Sequence, residues 1–305
     1  MESFFANTVL FGEDILNSVH IFAGSWLDMA MMAITSAGSE TFYMVALPIL
    51  YWCWDRRRAI YVGAVFLVAM TVNDALKCLF NNPRPDPEKL IPGIRELAIR
   101  YRPSGPGFPS GHAQGATSFW GTIAIMAGNK AVGIICVSMI ILITYSRLYL
   151  GVHYLGDVIG GLTLGILCLV VIIPAATVTG KHFRSVNPVV ITIVLILLPA
   201  GIYIAVPGEH INTTMGTISG FLIGALLAED RIRFNPKNRL PYQLAKIVIG
   251  IAVVAAIRFG LKFILPESLE AGFFRYWCIG FWCSFGAPYL FGKIAVLRGE
   301  DGALL

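Results

Sequence analysis

Charged side chains are scarce in this chain. They make up 13% of its 305 residues, against 56% hydrophobic, and the mean hydropathy is +0.72. That balance excludes an ordinary soluble domain, because so few charges cannot clothe the surface of one. Lys and Arg are absent before Arg56, and the opening stretch "MESFFANTVLFGEDILN" carries Glu2, Glu13 and Asp14 instead. No basic n-region precedes an apolar core there, so no cleavable signal peptide is expected. The six cysteines show no CxxC spacing and fall almost entirely in apolar runs, which reads as packing and not as a disulfide frame or a metal site. No carboxylate cluster of the kind that holds Mg²⁺ occurs, so neither metal nor other cofactor is expected. Internal repeats and low-complexity tracts are also missing. The net charge of +5 is small and lies in loops, which argues against a nucleic-acid partner, and nothing marks an obligate protein partner.

What the sequence has is long apolar runs. They predict an all-α fold, a polytopic membrane helix bundle of about nine spans at 38–54, 59–80, 113–128, 131–149, 152–177, 188–206, 213–228, 243–265 and 273–297. Residues 24–37 read as an interfacial or re-entrant helix, or as the start of a longer first span. The expected division is an interfacial N-terminal segment (1–37), a catalytic membrane core (38–178) and a C-terminal four-helix membrane extension (179–305). Loop charge orients the bundle. "DRRR" (55–58), Lys130, Lys181 with Arg184, and Arg231, Arg233, Lys237 and Arg239 share one side, while "PGEHIN" (207–212) and "PESLEAG" (266–272) opposite them hold no Lys or Arg. The positive-inside rule then puts the C-terminus in the cytosol and the 81–112 loop outside. That outer loop nonetheless carries Arg84, Lys89, Arg95, Arg100 and Arg102, which suggests a local task such as holding an anion or lying on acidic headgroups.

Three polar clusters fall on that outer side. "KCLFNNPRP" (77–85) places Lys77 near a span end and Arg84 beyond Pro83, which stops the helix. "PGFPSGHAQG" (106–115) delivers Ser110, Gly111 and His112 to a helix start, where unpaired backbone N–H groups favour anions. "SRLYLGVHYLGD" (146–157) ends one span at Arg147, breaks at Gly151, and opens the next with His153 and Asp157 one turn apart. Singly, each has a bland explanation: a snorkelling lysine, a helix cap, an anchoring arginine. Together they bring three cations, two histidines and one carboxylate to one membrane face, a set that suits phosphoryl transfer. Lys77, Arg84, Arg147, Ser110 and the Gly111 N–H can surround phosphate oxygens. One histidine can attack phosphorus while the other protonates the leaving oxygen. His153 is the better nucleophile, because Asp157 can fix its tautomer, and His112 is then the acid/base.

These clusters closely resemble the signature of the type 2 phosphatidic acid phosphatase superfamily, KxxxxxxRP, PSGH and SRxxxxxHxxxD, met here by Lys77–Arg84–Pro85, Pro109–Ser110–Gly111–His112 and Ser146–Arg147–His153–Asp157. The resemblance implies a metal-independent hydrolase acting on a lipid phosphate monoester through a phosphohistidine, with its site on the extracytoplasmic or lumenal face. Implied substrates are a long-chain-base phosphate, phosphatidate or a polyprenyl (pyro)phosphate. The spans beyond the third motif look like the sphingosine-1-phosphate phosphatase and glucose-6-phosphatase branch, which keeps a soluble sugar phosphate open as substrate. A lipid phosphotransferase using the same phosphohistidine is the other alternative, and membrane lipids are the expected surroundings. Possible secondary site residues are Asn73 and Asp74, one turn from Lys77, and Arg258 and Lys262 near the outer end of the eighth span.

Overall fold

A computed structural model of the chain describes residues 5–183, 193–194, 197–199, 201–202, 209–229, 231–232, 234–294 and 297. The regular structure among the described residues is all helical, without strands, as the apolar runs predict. Two compact units share the chain: residues 1–43 with 68–175, and residues 44–67 with 176–305. They cut it differently from the linear division 1–37, 38–178 and 179–305. The N-terminal segment belongs with the three motifs, and much of the chain around the "DRRR" turn belongs with the C-terminal helices.

The first unit starts with short helices α1 (Thr8–Phe11), α2 (Asp14–Val19) and α3 (Ser25–Ser36). At 12 residues, α3 is about 18 Å long and too short to cross a bilayer core. Helices α4 (Glu40–Cys53) and α5 (Arg56–Phe80) each begin in one unit and end in the other. Beyond α5 the chain turns at Asn81, whose φ is 44°, and the connection to the PSGH motif forms the amphipathic helix α6 (Pro92–Tyr101). Ile94 and Ala98 of α6 are buried with Leu16, Leu90, Leu148, Tyr154 and Val158, so this loop is a packed layer.

Helices α7 (Gly111–Ala127) and α8 (Lys130–Tyr149) form an antiparallel pair. Gly128 (φ 62°) closes α7 in the left-handed conformation, and the Asn129 side chain caps α8 by accepting from the backbone N–H groups of Ala131 and Val132. Gly151 (φ 65°) then turns the chain into α9 (Leu155–Phe183). The expected start of that span at 152 moves to Leu155, leaving His153 in the turn.

The second unit contains α10 (Glu209–Glu229), α11 (Leu240–Ile264), α12 (Leu269–Phe281), a π turn at Trp282–Gly286 and α13 (Ala287–Lys293). Its core gathers Tyr51, Trp52, Phe221, Val254, Ile279, Cys283 and Phe291. Trp52 donates to the Cys283 carbonyl (2.8 Å) and Trp282 to that of Gly250 (3.1 Å). Gly216, Gly220 and Gly224 lie every fourth residue along α10 and meet Phe273, Trp277 and Phe281 of α12 and Ser284 of the π turn. An added Cβ on Gly220 would sit 2.1 Å from the Trp277 carbonyl oxygen, so only glycine admits this approach. Buried Lys246 is satisfied locally by the carbonyls of Asn235 (3.2 Å) and Pro236 (3.3 Å) and by the Phe234 ring.

Among the described residues five helical stretches are long and apolar enough to cross a membrane: Arg56–Phe80, Lys130–Tyr149, Leu155–Ala175, Ile211–Glu229 and Leu240–Ile264. The expected count of nine is not reached on that criterion. Helices α4 and α7 have 14 and 17 residues, and α12 is separated from α13 by the π turn. The span expected at 188–206 lies largely outside the described residues. All six cysteines are free thiols.

Candidate active site

The site lies at one end of the first unit, where α5 and α8 finish and α7 and α9 begin. Three connections pull the motif segments together. On α5, the Asn73 amide donates to the Pro109 carbonyl (3.3 Å) and to Gln114 Oε1 (2.8 Å). Gln114 in turn donates to the Ala69 carbonyl (2.7 Å). The Ser110 N–H donates to the backbone carbonyl of Asp157 (2.9 Å), joining the second motif to the third. Gly107 N–H donates to the Asn82 carbonyl (2.7 Å), and a Cβ there would come within 2.9 Å of Asp157 Oδ2.

His153 sits at the centre and is 1% exposed. Its Nδ1 is 3.2 Å from Asp157 Oδ2 and its Nε2 is 3.0 Å from Arg84 Nη1. Guanidinium nitrogens only donate, so Nε2 is the acceptor and Nδ1 carries the hydrogen that faces Asp157. The same carboxylate oxygen accepts from the Tyr154 N–H (3.0 Å). Arg84 is itself held by the carbonyls of Gly105 (3.0 Å) and Val152 (3.1 Å). Lying outside both flanking spans, His153 has a pKa pushed well below its ordinary 6.5. Burial is the main cause, followed by the cations of Arg84, Arg147 and Lys77. Imidazole rather than imidazolium is therefore its resting form.

Around this pair, several buried donors have no hydrogen-bond partner among the described residues. Ser110 stands at the N-cap position of α7, fully buried, and its Oγ makes no capping bond and has no other partner among the described residues. Arg147 ends α8, 2% exposed, and donates through Nη1 to Thr35 Oγ1 (2.6 Å) while its Nε and Nη2 are unpaired. The Lys77 ammonium lies at Gly111, where an added Cβ would be 3.6 Å from Nζ. His112 follows Gly111 on the first turn of α7, with its ring beside Gly38. Buried donors without acceptors are rare in folded proteins, and their concentration beside one histidine marks a place built for an anion.

Every residue of the three motifs thus falls in one neighbourhood. Asn73 belongs to it as a bracket between α5 and the Ser110 loop, with Asp74 the next residue along α5. Arg258 and Lys262 belong to the other compact unit, where Arg258 Nη1 approaches Met44 Sδ (3.4 Å). Of the cations in the 81–112 loop, Arg84 meets His153, Lys89 lies 3.9 Å from Glu13, and Arg95 pairs with Glu88. Sequence reasoning missed Thr35, Glu13, Gln114 and Gly107. Only the last left a signal, as one of the glycines ahead of the PSGH motif. Among the described residues, no group of three or more His, Cys, Asp and Glu side chains is arranged to hold a metal ion.

An all-helical, multi-pass membrane protein with a buried histidine among unpaired cationic donors defines a class of anion-handling membrane proteins. Within that class the chain belongs to the PAP2 superfamily. The superfamily's model matches residues 58–181, and that of the "PAP2 superfamily phosphatase, transmembrane extension" matches 212–299. The chain is 29% identical over 146 residues to human sphingosine-1-phosphate phosphatase 2, covering 46% of this chain and 35% of that protein. It is 30% identical over 155 residues to phosphatidylglycerophosphatase B of Bacillus subtilis, covering 47% and 71%. The crystal structure of a PAP2-type phosphatidylglycerolphosphate phosphatase from Bacillus subtilis aligns with a TM-score of 0.45 at 25% identity, over 61% of this chain and 91% of that one.

Proposed function

We propose that the protein is an integral-membrane phosphatase that hydrolyses a lipid phosphate monoester through a phosphohistidine on His153. The observation that carries this reading is His153 held between Asp157 and Arg84, with Ser110 Oγ and Arg147 Nε and Nη2 unpaired beside it. A phosphate monoester brings nearly two negative charges and three acceptor oxygens, which answer the charge of Lys77, Arg84 and Arg147. As the phosphate takes Arg84 Nη1, the lone pair on His153 Nε2 is released toward phosphorus. The N–P bond forms, the ester P–O bond breaks, and His112, which takes up a proton from water as the dianionic phosphate binds beside it, gives that proton to the departing lipid oxygen. Asp157 stabilises the positive charge that develops on the His153 ring. Water then attacks the phosphohistidine, His112 takes its proton, and inorganic phosphate leaves with His153 neutral again.

Aromatic rings beside the motifs favour a lipid over a sugar. Phe80, Phe108 and Tyr154 each come from one motif stretch and form a cluster with Phe5 and Phe11. Ring centroids are 5.1 Å apart for Phe80–Phe108, 6.2 Å for Phe11–Phe108 and 6.1 Å for Phe11–Tyr154. Such rings accept an alkyl chain, whereas a sugar needs polar partners for every hydroxyl. Lys and Arg gather in the loops at the opposite end of the spans, which supports a site on the extracytoplasmic or lumenal face and a cytosolic C-terminus.

The test is phosphate release by purified protein in EDTA, over long-chain-base phosphate, phosphatidate, polyprenyl pyrophosphate and glucose 6-phosphate, with His153→Ala alongside. Release from one or more lipids is expected, and the variant should fall on the order of 10⁴-fold or more, as nucleophile removal does elsewhere. A fully active His153→Ala would refute the phosphohistidine. Release from glucose 6-phosphate alone would replace the lipid, and release only on adding an acceptor lipid would make the protein a transferase.

A further inference from the structure

The superfamily model begins at residue 58, yet helices ahead of it reach the catalytic groups directly. Thr35, near the end of α3, is 6% exposed and accepts from Arg147 Nη1 at 2.6 Å. Glu13, between α1 and α2, accepts from the Tyr154 hydroxyl at 3.0 Å, and Lys89 of the outer loop steadies it at 3.9 Å. Tyr154 is the residue after His153, and its own N–H bonds the carboxylate that faces the His153 ring. Supporting contacts hold the segment down. Asn17 Oδ1 accepts from the Ile91 N–H (3.1 Å), Asp28 accepts from the Tyr149 hydroxyl, and the Phe11 ring lies against Gly156.

The geometry at Arg147 is specific. A guanidinium offers two edges, and the side-on edge, Nε with Nη2, is the one that grips two oxygens of one phosphate. Thr35 takes the remaining nitrogen, Nη1, so the guanidinium is held in place and the gripping edge stays unpaired among the described residues. Without Thr35 the side chain loses a charge-assisted hydrogen bond in a buried place and regains rotamer freedom that phosphate must then remove. At the other end, Glu13 pins Tyr154 by its tip while Asp157 pins it by its backbone. The His153 turn is thereby clamped from both sides.

We infer that residues 8–36 are a catalytic brace, in which Thr35 is the positioning residue for Arg147 and Glu13 the positioning residue for the His153–Asp157 turn. This rests on the phosphatase reading above. Neither residue touches the reacting atoms; each acts through a partner that does.

The test uses the full purified chain and two readouts: kcat and KM for phosphate release from the best lipid substrate, and inorganic phosphate binding by calorimetry, which needs no turnover. Thr35→Val, which keeps the shape and removes the acceptor, should lower kcat and weaken phosphate binding, each about tenfold. Thr35→Ser should restore both. Glu13→Ala should lower kcat about tenfold with phosphate binding unchanged, and Glu13→Gln, which keeps the accepting oxygen, should restore it. Serine or glutamine failing to restore in chains that melt like wild type would overturn the brace. So would Thr35→Val binding phosphate within twofold of wild type. Wild-type protein that binds phosphate but releases none from any substrate would instead sink the phosphatase reading, while the Thr35 arm still reads out.

Discussion

Replacing Gly151 by alanine adds one methyl group in the turn between Arg147 and His153, and two costs can be worked out for it. The residue has φ 65°, a left-handed conformation that costs an L-residue about 1–2 kcal/mol. The new Cβ would also stand 2.4 Å from Ile94 Cγ2, 2.9 Å from Leu90 Cδ1 and 3.4 Å from the Ala98 Cβ, all in a buried cluster. Overpacking of that kind costs about 1–3 kcal/mol. Against these stands the stiffer unfolded chain, worth about 0.4–1 kcal/mol in favour of alanine. The costs win, by about 1–4.6 kcal/mol. Gly133→Ala is the matched control: it lies inside α8, its φ is not positive, and its Cβ would meet nothing within 4 Å. There alanine should stabilise, by up to about 1 kcal/mol. Thermal unfolding of the purified chains in detergent, at one fixed scan rate, compares the two. Each kcal/mol moves a domain of 150–250 residues by about 2–4 °C. Gly151→Ala should melt lower and Gly133→Ala at or above wild type, with kcat falling only in the former, since His153 is two residues from the strain. A Gly151→Ala protein that melts with wild type and turns over normally would refute the account of this turn.

The remaining predictions are short. Because burial and neighbouring cations hold the His153 pKa below 6.5, the neutral nucleophile is fully present at pH 7 and is lost only as pH falls through that lowered value. The acid limb of kcat/KM, corrected for the substrate's own ionisation, should therefore lie below pH 6.5, and a limb above 6.5 would contradict the assigned environment. In the second unit, Gly220→Ala should destabilise by about 1–3 kcal/mol, since its Cβ meets backbone that has nowhere to go. Gly272→Ala, with nothing within 4 Å of its Cβ, should not, and equal melting shifts for the two would count against the close α10–α12 contact.

The motifs were legible because their chemistry is local in sequence. Asp157 follows His153 by four positions, so the first turn of α9 carries its carboxylate back to the histidine in the preceding turn, and Pro83 and Gly151 announce where helices stop. Helix existence was equally plain, since long apolar runs leave few other structures open. The span count was not. Windows of hydropathy do not register that α4 and α7 stop at 14 and 17 residues, or that the last run contains a π turn. The small-residue stripe at Gly216, Gly220 and Gly224 was readable and passed over, because apolar content alone draws no distinction between faces of a helix.

The harder omissions are the contacts of long sequence separation. Thr35 and Arg147 are 112 residues apart, and Glu13 and Tyr154 are 141 apart. A threonine in "MMAITSAG" looks like one more small residue in a weakly amphipathic helix, and Glu13 like a solvated charge in an interfacial segment. What gives them weight is a demand from the other partner. An arginine at 2% exposure must have its donors satisfied, and a tyrosine buried beside the catalytic turn must bond its hydroxyl. Reading a motif should therefore continue past the residues that touch substrate to the hydrogen bonds those residues still owe once buried. In this chain Arg147 keeps one edge, Nε with Nη2, unpaired among the described residues and gives Nη1 to Thr35, in the segment that composition alone assigned to the membrane interface.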